Sequence, residues 1–304
     1  MGEKKVFLEG FGAHLVLERT TFVLSNMDEM RNRQHQFWNL ASQGWRKWDK
    51  VLMDWLRPVG EKILESVLIE DDYVVLDFAT GSGEPGLSAA KRVGKGSVIG
   101  ADFSEEMLRI AYEKAKSLGV KNYETRLLDS PTLPFSSGYF DAVTCRFGVM
   151  FFPDILTGLR EMTRVLKPNR RLAVSVWGPQ DKRALAVAQI IAKSLQLPVP
   201  APDSPGPYRC SERGMITCLL SKSGLDDVEE FELTGQVTWD SPEQYWEYMT
   251  VSPLLTTALR NANEESREKT RREVLAALSP VKGSDGKISF NWVAWVDSGI
   301  KLDG

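Results

Sequence analysis

Residues 74–86 combine an acidic residue with a glycine-rich turn. They read Val-Val-Leu-Asp-Phe-Ala-Thr-Gly-Ser-Gly-Glu-Pro-Gly, so a short apolar run ends near Asp77 and a Gly-x-Gly-x-x-Gly pattern begins at Gly81. Gly81 and Gly83 allow a tight turn and a close approach of the backbone to a ligand, which a Cβ would block. Pro85 suits the first position of a following helix, because its missing N–H would be unpaired there. The segment therefore predicts a strand, a ligand-binding turn and a helix in succession.

The glycine pattern alone does not identify the ligand, because it also describes dinucleotide-binding folds. Asp77 lies four residues before Gly81, where a carboxylate can help to hold an amino-acid ammonium group but would repel a pyrophosphate. Asp102 closes the next apolar run, and its carboxylate can accept hydrogen bonds from two ribose hydroxyls, as it also would in an NAD site. Asp129 and Ser130 follow the third run, in a position to reach an adenine edge. Together these residues favour a sulfonium nucleoside over a dinucleotide.

The elements that position these residues are short apolar runs that alternate with amphipathic helices. The predicted strands are Tyr73–Phe78, Ser97–Asp102, Tyr123–Leu128, Phe140–Arg146, Leu172–Trp177, Val228–Leu233 and Ile288–Val296. The predicted helices between the first five are Pro85–Arg92, Ser104–Leu118 and Ile155–Leu166. Apolar strands separated by helices indicate a parallel sheet that is covered on both faces. The predicted fold class is α/β, with a doubly wound, mostly parallel, seven-stranded sheet.

The flanking segments are mainly helical. Met27–Ser66 has a helical pattern in which Trp38, Trp45, Trp48 and Trp55 share one face, and Arg57-Pro58 is expected to break it. Further helices are predicted at Lys182–Leu195, Glu212–Ser223, Pro242–Met249 and Leu255–Leu278. Five prolines between residues 198 and 207 predict an extended lid edge. We therefore expect an N-terminal helical cap at 1–69, a core at 70–180, and a part at 181–304 that completes the sheet and adds lid helices; residues 1–24 receive no assignment.

From residue 73 to residue 178 the chain resembles the class I S-adenosylmethionine-dependent methyltransferases, particularly the group of ubiquinone and menaquinone biosynthesis enzymes. The resemblance rests on the glycine turn, on Ala-Asp-Phe-Ser at 101–104 with Met107, on 133–143, and on Glu-Met-Thr-Arg-Val-Leu-Lys-Pro at 161–168. It implies a Rossmann-like methyltransferase fold, S-adenosylmethionine as cofactor and S-adenosylhomocysteine as product. Where the family usually has Gly-Gly after Lys-Pro, this chain has Asn169-Arg170. Asn tolerates the left-handed conformation, so the turn should persist.

Carried over to this sequence, the family pattern implies a set of cofactor contacts. Asp77, Ala79, Gly81 and Gly83 would surround the methionine and ribose parts, Asp102 would bind the ribose hydroxyls, and Phe103 and Met107 would pack on the adenine. Asp129 and Ser130 would bind the adenine amino group, and Arg146 or Phe147 would line the site after the fourth strand.

The acceptor and any catalytic base are less well specified. Trp45, Trp48, Phe147 and Trp177 are candidates for a substrate pocket, and this aromatic content suggests a small hydrophobic or aromatic acceptor. Displacement at an activated sulfonium methyl needs orientation and a dry pocket more than acid catalysis. A base is required only for a poorly acidic nucleophile, for which His35 and Tyr208 are weak candidates.

Composition excludes several other classes. The net charge of −3 gives no reason to expect nucleic acid as a partner, and no apolar run approaches the roughly 20 residues of a membrane span. Three cysteines without a CxxC pair and two histidines predict no metal site, and Cys145 is expected to be inert core, which disfavours an arsenite methyltransferase. With no signal-peptide core in residues 1–24, we expect a cytoplasmic protein.

Two alternatives remain. An NAD-dependent oxidoreductase could use the same glycine turn, although Asp77 opposes it and no Tyr-x-x-x-Lys pair follows the fourth strand. A non-catalytic protein could keep the fold as a binding module, although the intact turn and its acids count against this.

Overall fold

A computed structural model describes residues 9–128, 132–199, 201, 203–251 and 258–303. Side chains are described for residue 32 and from residue 34 onwards within these ranges. The predictions for Asp129 and Ser130 fall outside the described residues, as do parts of the proline-rich segment.

Seven strands in the described part of the chain form one sheet. They are β1 (Val74–Phe78), β2 (Ser97–Asp102), β3 (Tyr123–Leu127), β4 (Phe140–Arg146), β5 (Leu166–Trp177), β6 (Asp226–Trp239) and β7 (Ile288–Lys301). Their order is β3-β2-β1-β4-β5-β7-β6, in which β7 alone is antiparallel to both its neighbours. The predicted α/β fold with a doubly wound, mostly parallel, seven-stranded sheet is confirmed.

Helices cover both faces of this sheet. They are α1 (Glu9–Ser66), α2 (Gly86–Arg92), α3 (Glu105–Ser117), α4 (Ile155–Val165), α5 (Lys182–Ser194), α6 (Met215–Lys222), α7 (Pro242–Val251) and α8 (Glu264–Leu278). The carboxyl ends of β1, β2 and β4 face the turn that precedes α2. This arrangement brings the predicted chemical residues to one edge of the sheet.

The first helix is longer than the sequence predicts. It runs for 58 residues and continues through Pro58, where we expected a break. Val59, Ile63 and Leu64 are at most 1% exposed and pack against the apolar face formed by the sheet and α2. The burial of these side chains stabilises this turn of α1 by more than the loss of the backbone hydrogen bond at Pro58 destabilises it.

The C-terminal part also departs from the predicted boundaries. β6 and β7 each span 14 residues, because they pair with one another along nearly their whole length. The prediction of one continuous helix over Leu255–Leu278 is wrong: residues 258–261 are helical, the helix is interrupted at 262–263, and α8 begins at Glu264. The Asn263 side chain caps it by accepting a hydrogen bond from the Ser266 N–H at 2.8 Å.

Other boundaries also differ: β5 begins at Leu166, six residues before the predicted Leu172. Met215 begins α6 three residues after the predicted start, and α2 begins at Gly86, so Pro85 is the residue before the helix and not its first position. Asn169 has a φ of 59°, as expected for the turn that replaces Gly-Gly. Cys145 is fully buried, also as expected.

Among the described residues, no helix has the length and apolar character of a membrane span. The same part of the chain contains no group of three or more His, Cys, Asp or Glu side chains that could hold a metal ion.

Candidate functional site

Asp77 organises the turn between β1 and α2. One carboxylate oxygen accepts hydrogen bonds from the Thr80 hydroxyl at 2.5 Å and the Gly86 N–H at 3.0 Å, and the other accepts one from the Thr144 hydroxyl at 2.8 Å. The residue is fully buried, and burial raises the pKa of its carboxyl group to about 6. Both oxygens thus accept hydrogen bonds from the protein itself and lie behind the surface of the turn.

Asp102 occupies the corresponding position at the end of β2. Its two oxygens accept hydrogen bonds from the Gly81 N–H and the Ser104 N–H, each at 2.9 Å. Burial raises the pKa of the Asp102 carboxyl group, and these backbone donors oppose the shift. Each oxygen keeps a second lone pair, so the carboxylate can also accept from a pair of vicinal hydroxyls.

The turn leaves open space where a ligand would lie. Gly81 has a φ of 54°, and a Cβ built on it meets no atom within 4 Å, since the position faces a cavity. A nucleoside ribose can therefore approach this backbone directly, with Asp102 beside it. On these observations, the residues present fit the nucleoside half of S-adenosylmethionine.

Two residues after the central strands adopt a left-handed backbone without being glycine. Ala79 has a φ of 56° and Phe147 a φ of 55°, and they follow β1 and β4. A Cβ on Gly148 would lie 2.6 Å from the Ala79 Cβ and from the Cys145 Sγ, so this position must be glycine. Such strain is held only where surrounding structure fixes it, and it concentrates at functional sites.

Helix α1 passes over the turn and contacts it through polar side chains. Asn39 Oδ1 accepts a hydrogen bond from the Ser104 hydroxyl at 2.6 Å. Asp49 lies 2.9 Å from the Lys114 ammonium and 3.4 Å from the Ser82 hydroxyl. These contacts hold the helix against α3 and the glycine turn.

A wall of aromatic rings continues from the turn towards α7. Phe147 stacks on Trp177 with a centroid distance of 4.0 Å and an interplanar angle of 16°. Trp55 of α1 stacks on the Trp177 ring at 5.5 Å and 23°. Further along, Trp239 stacks on Tyr248 at 4.5 Å. The wall is flat and apolar, and its rings come from both helices and strands.

The glycine turn and the aromatic wall line one cavity of about 570 Å³. Among the predicted cofactor-binding residues, it is lined by Ala79, Gly81, Asp102, Phe103, Met107 and Arg146. Among the other predicted site residues, it is lined by Trp45, Phe147, Trp177 and Tyr208. One enclosed space therefore contains both the nucleoside-binding features and the aromatic wall.

Four predicted residues lie outside the lining. Asp77 and Gly83 are behind the turn, where a Cβ on Gly83 would meet the Leu87 side chain at 2.7 Å. Trp48 packs edge-on against Trp239, and His35 Nδ1 accepts a 3.2 Å hydrogen bond from the Asn39 amide N–H. Asp77 is fully buried and accepts three hydrogen bonds from the protein itself, and its contact with an ammonium group stays a prediction.

Sequence reasoning missed several lining residues. Glu84 lies inside the glycine motif but its carboxylate was not considered, although its position in a ligand-binding turn was a signal. Trp239, Tyr245 and Trp292 also line the cavity, and they come from β6, α7 and β7. No local sequence pattern relates these three aromatic residues to the glycine turn. The antiparallel pairing of β6 and β7 brings them to the cavity.

A family model described as a methyltransferase domain matches residues 75–169. This part of the chain is therefore similar to methyltransferase domains. It contains the turn, Asp102, Arg146 and Phe147.

Named relatives agree with the match. Over 115 residues the chain is 43% identical to a demethylmenaquinone methyltransferase of Thermus thermophilus, covering 37% of this chain and 51% of the relative. Over 141 residues it is 33% identical to the demethylmenaquinone methyltransferase of Staphylococcus carnosus, covering 46% of this chain and 58% of the relative. The chain thus spans about half the length of the curated relatives it matches.

A solved structure extends the likeness in fold beyond the matched domain. The YcgJ protein from Bacillus subtilis superposes with a TM-score of 0.54 at 21% identity, covering 81% of this chain and 98% of that protein. The predicted resemblance to class I methyltransferases is confirmed. The same matches support the predictions of an enzyme and of S-adenosylmethionine as its cofactor. The oxidoreductase alternative has no support from these matches.

Proposed function

We propose that this protein transfers a methyl group from S-adenosylmethionine to a small hydrophobic or aromatic acceptor. The observation that carries the proposal is the continuity of the cavity. The Asp102 carboxylate and the open face of Gly81 lie in the same enclosed space as the stacked rings of Phe147 and Trp177. A donor and an acceptor bound there would share one pocket of about 570 Å³.

The chemistry that S-adenosylmethionine supplies when bound is an activated sulfonium methyl group, open to in-line displacement. The residues of this chain then have three tasks. Asp102 binds vicinal hydroxyls and fixes the nucleoside, Phe103 and Met107 pack beside it, and the aromatic wall orients the acceptor and excludes water. The predicted roles of Asp129 and Ser130 on the adenine belong to the same proposal.

Neither of the two predicted general bases is suited to the role. Tyr208 lines the cavity, but burial raises the pKa of its hydroxyl to about 12, so it keeps its proton near neutral pH. A protonated phenol can donate a hydrogen bond to an acceptor but cannot remove a proton from it. His35 lies outside the lining. The proposal therefore assigns the role of general base to neither residue.

The aromatic wall supports the proposed acceptor class. A planar, apolar acceptor would bury its surface against this aromatic wall, whereas a small polar amine would leave the wall bare. The named relatives are demethylmenaquinone methyltransferases, and a quinone-like ring is the acceptor we propose to test first. The division into 1–69, 70–180 and 181–304 and the cytoplasmic location remain predictions.

The experiment combines a binding measurement with an acceptor panel. S-adenosylhomocysteine titrated into the protein by calorimetry should bind, and Asp102→Ala should weaken it by about tenfold or more, since hydrogen bonds to a charged group are lost. The matched control is Asp72→Ala, which changes an exposed aspartate just before β1. Transfer of a labelled methyl group should then favour reduced quinones and naphthols over small amines. Equal activity on small polar amines with none on aromatic acceptors would refute the acceptor class.

A further inference from the structure

Two tyrosines of α7 line the cavity away from the glycine turn. Tyr245 is 6% exposed, Tyr248 is partly buried, and both belong to the cavity lining. Other aromatic rings fix their position: Tyr248 stacks on Trp239 with a centroid distance of 4.5 Å, and the Tyr245 ring lies 4.9 Å from the Phe290 ring. The centroids of the two tyrosine rings are 6.5 Å apart. The pair therefore lines one limited region of the cavity.

Neither tyrosine hydroxyl is used by the protein. Among the described residues, Tyr245 and Tyr248 have aromatic neighbours but no hydrogen-bond partner for their hydroxyl groups. Burial raises the pKa of both hydroxyl groups, to about 12 for Tyr248, so each keeps its proton and offers an O–H donor. A buried donor without a partner costs free energy. Because both side chains line the cavity, a molecule in the cavity can supply that partner.

The sheet places these tyrosines far from the nucleoside-binding features. The part of β7 before Ala294 extends beyond its pairing with β5, and it carries Phe290, against which Tyr245 packs. β7 lies four strands from β2 and two strands from β4 in the sheet order. At the usual strand spacing, this end of the cavity is about 19 Å across the sheet from Asp102 and about 10 Å from Phe147, which follows β4. A molecule that stacks on the aromatic wall would extend across this second interval.

The charged group beside the tyrosines is already neutralised. Asp181 lines the cavity and adds to the effect of burial in raising the pKa of Tyr245. Its oxygens accept hydrogen bonds from the backbone N–H, Nε and Nη2 of Arg183 and from the Asn291 N–H, at 2.7 to 3.2 Å. These bonds satisfy the carboxylate without a ligand. A ligand carboxylate placed at the tyrosines would be repelled by Asp181, whereas a neutral oxygen would not.

We propose that Tyr245 and Tyr248 donate hydrogen bonds to a neutral oxygen, such as a carbonyl or ether oxygen, at the end of the acceptor remote from the cofactor. This inference rests on the proposed function and narrows its acceptor class. The acceptor then has a reactive end near the cofactor, an aromatic body against the wall and an oxygen at its opposite end. The specificity for that oxygen comes from a helix outside residues 75–169, the part of the chain that matches the methyltransferase domain.

The test compares three naphthols that bind to the protein saturated with S-adenosylhomocysteine. 4-Methoxy-1-naphthol carries a neutral remote oxygen, 4-ethyl-1-naphthol has nearly the same shape without it, and 4-hydroxy-1-naphthoate carries a remote carboxylate. Calorimetry should show the methoxy compound binding about 3- to 10-fold more tightly than the ethyl compound, as expected for one or two neutral hydrogen bonds. It should also bind more tightly than the carboxylate. Equal affinity for the methoxy and ethyl compounds, or tightest binding of the carboxylate, would overturn the inference.

Variants then assign the preference to the two hydroxyl groups. Tyr245→Phe and Tyr248→Phe keep the rings, and each should weaken the methoxy compound about 2- to 5-fold. Together they should bring its affinity to that of the ethyl compound, and the affinity for S-adenosylhomocysteine should stay within about twofold. Tyr112→Phe, at an exposed tyrosine of α3, is the matched control and should change none of these affinities.

Thermal unfolding provides a second readout for the same variants. Because no described group bonds to either hydroxyl, neither Tyr245→Phe nor Tyr248→Phe should lower the melting temperature. A lower melting temperature would show that the hydroxyl has a partner within the protein, and the inference would then be wrong.

The two proposals fail in different ways. If S-adenosylhomocysteine does not bind, or if it binds and all three naphthols do not, the proposed function is wrong. If the naphthols bind but the double variant keeps the preference for the methoxy compound, the acceptor class stands and the tyrosine site is wrong.

Discussion

The Asp77 carboxylate accepts a 2.5 Å hydrogen bond from the Thr80 hydroxyl, three residues further along the same turn. The Thr80 oxygen is also 2.9 Å from the Tyr123 hydroxyl of β3, and the Thr80 N–H donates to the Ala101 carbonyl at 3.0 Å. Through these bonds the turn is tied to β2 and β3 as well as to its own strand. Asp77 and Thr80 thus hold the glycine corner in the shape that exposes Gly81.

Asp77→Ala should therefore act mainly on stability. The Thr80 and Thr144 hydroxyls and the Gly86 N–H would lose their buried acceptor, at a cost of about 3 kcal/mol or more in the free energy of unfolding. Thermal unfolding measures the loss, and Asp72→Ala serves as the exposed control. A variant with unchanged stability but lost S-adenosylhomocysteine binding would show instead that the carboxylate contacts the ligand.

Trp177→Ala should separate acceptor binding from cofactor binding. Its ring lies between Phe147 and Trp55, and removing it leaves both faces without a partner. We expect the KM for an aromatic acceptor to rise by about tenfold, consistent with an aromatic pair worth 0.5–1.5 kcal/mol, while S-adenosylhomocysteine affinity changes far less. Trp177→Phe should recover most of the loss, and Tyr112→Ala, at an exposed ring of α3, should have no effect. If Trp177→Ala weakened acceptor and S-adenosylhomocysteine binding equally, the two ligands would not occupy separate halves of the cavity.

Asn39→Ala should loosen α1 over the nucleoside end. The substitution removes the acceptor of the 2.6 Å hydrogen bond from Ser104, worth about 1 kcal/mol. S-adenosylhomocysteine should consequently dissociate several-fold faster in stopped-flow displacement, and thermal unfolding should show the loss of about 1 kcal/mol. Asn32→Ala changes an exposed residue of the same helix and provides the comparison. Identical dissociation rates in the two variants would mean that the helix does not restrain the ligand.

Asp297 of β7 lies away from the cavity and makes the free energy of unfolding depend on pH. One oxygen accepts a 2.8 Å hydrogen bond from the Thr217 hydroxyl, the other has no partner, and burial raises the pKa of the carboxyl group to about 7. Because the folded pKa lies above the unfolded value, the folded state holds this proton while the unfolded state has released it. Stability from this group is complete below about pH 4 and declines as the pH rises to about 7.

Asp297→Asn should remove that decline and raise the unfolding free energy at pH 8 by on the order of 2 kcal/mol. Thermal unfolding between pH 4 and pH 8 measures it, with Asp226→Asn as an exposed control on the neighbouring strand. A lower melting temperature for Asp297→Asn at pH 8 would show that the ionised carboxylate is stabilising there.

Local sequence signals predicted the parallel part of the fold well. The apolar runs before Asp77 and Asp102 located β1 and β2, because buried parallel strands need continuous apolar residues. Pro58 misled the prediction for α1, since the packing of Val59 and Ile63 is a tertiary effect that local propensity does not include. The lengths of β6 and β7 were underestimated for a similar reason, because they follow from the pairing of the two strands with each other.

The candidate site was predictable to the same extent. Asp102 and Gly81 could be found because one turn and one strand end specify them. Asp77 was assigned to a ligand because its position in the sequence shows that a carboxylate lies near the turn. The sequence does not show which hydrogen-bond donors lie next to that carboxylate. Glu84 and Trp239 required the three-dimensional structure, which shows the cavity that both of them line.

Helix α1 contributes Asn39 and Asp49 to the nucleoside end and Trp45 and Trp55 to the aromatic end. One helix thus covers both ends of the cavity. The first ligand to bind loses free energy of binding to the conformational entropy of ordering α1, and the second ligand binds to a helix that is already ordered. Donor and acceptor should consequently bind with positive cooperativity, each raising the affinity for the other by the same factor.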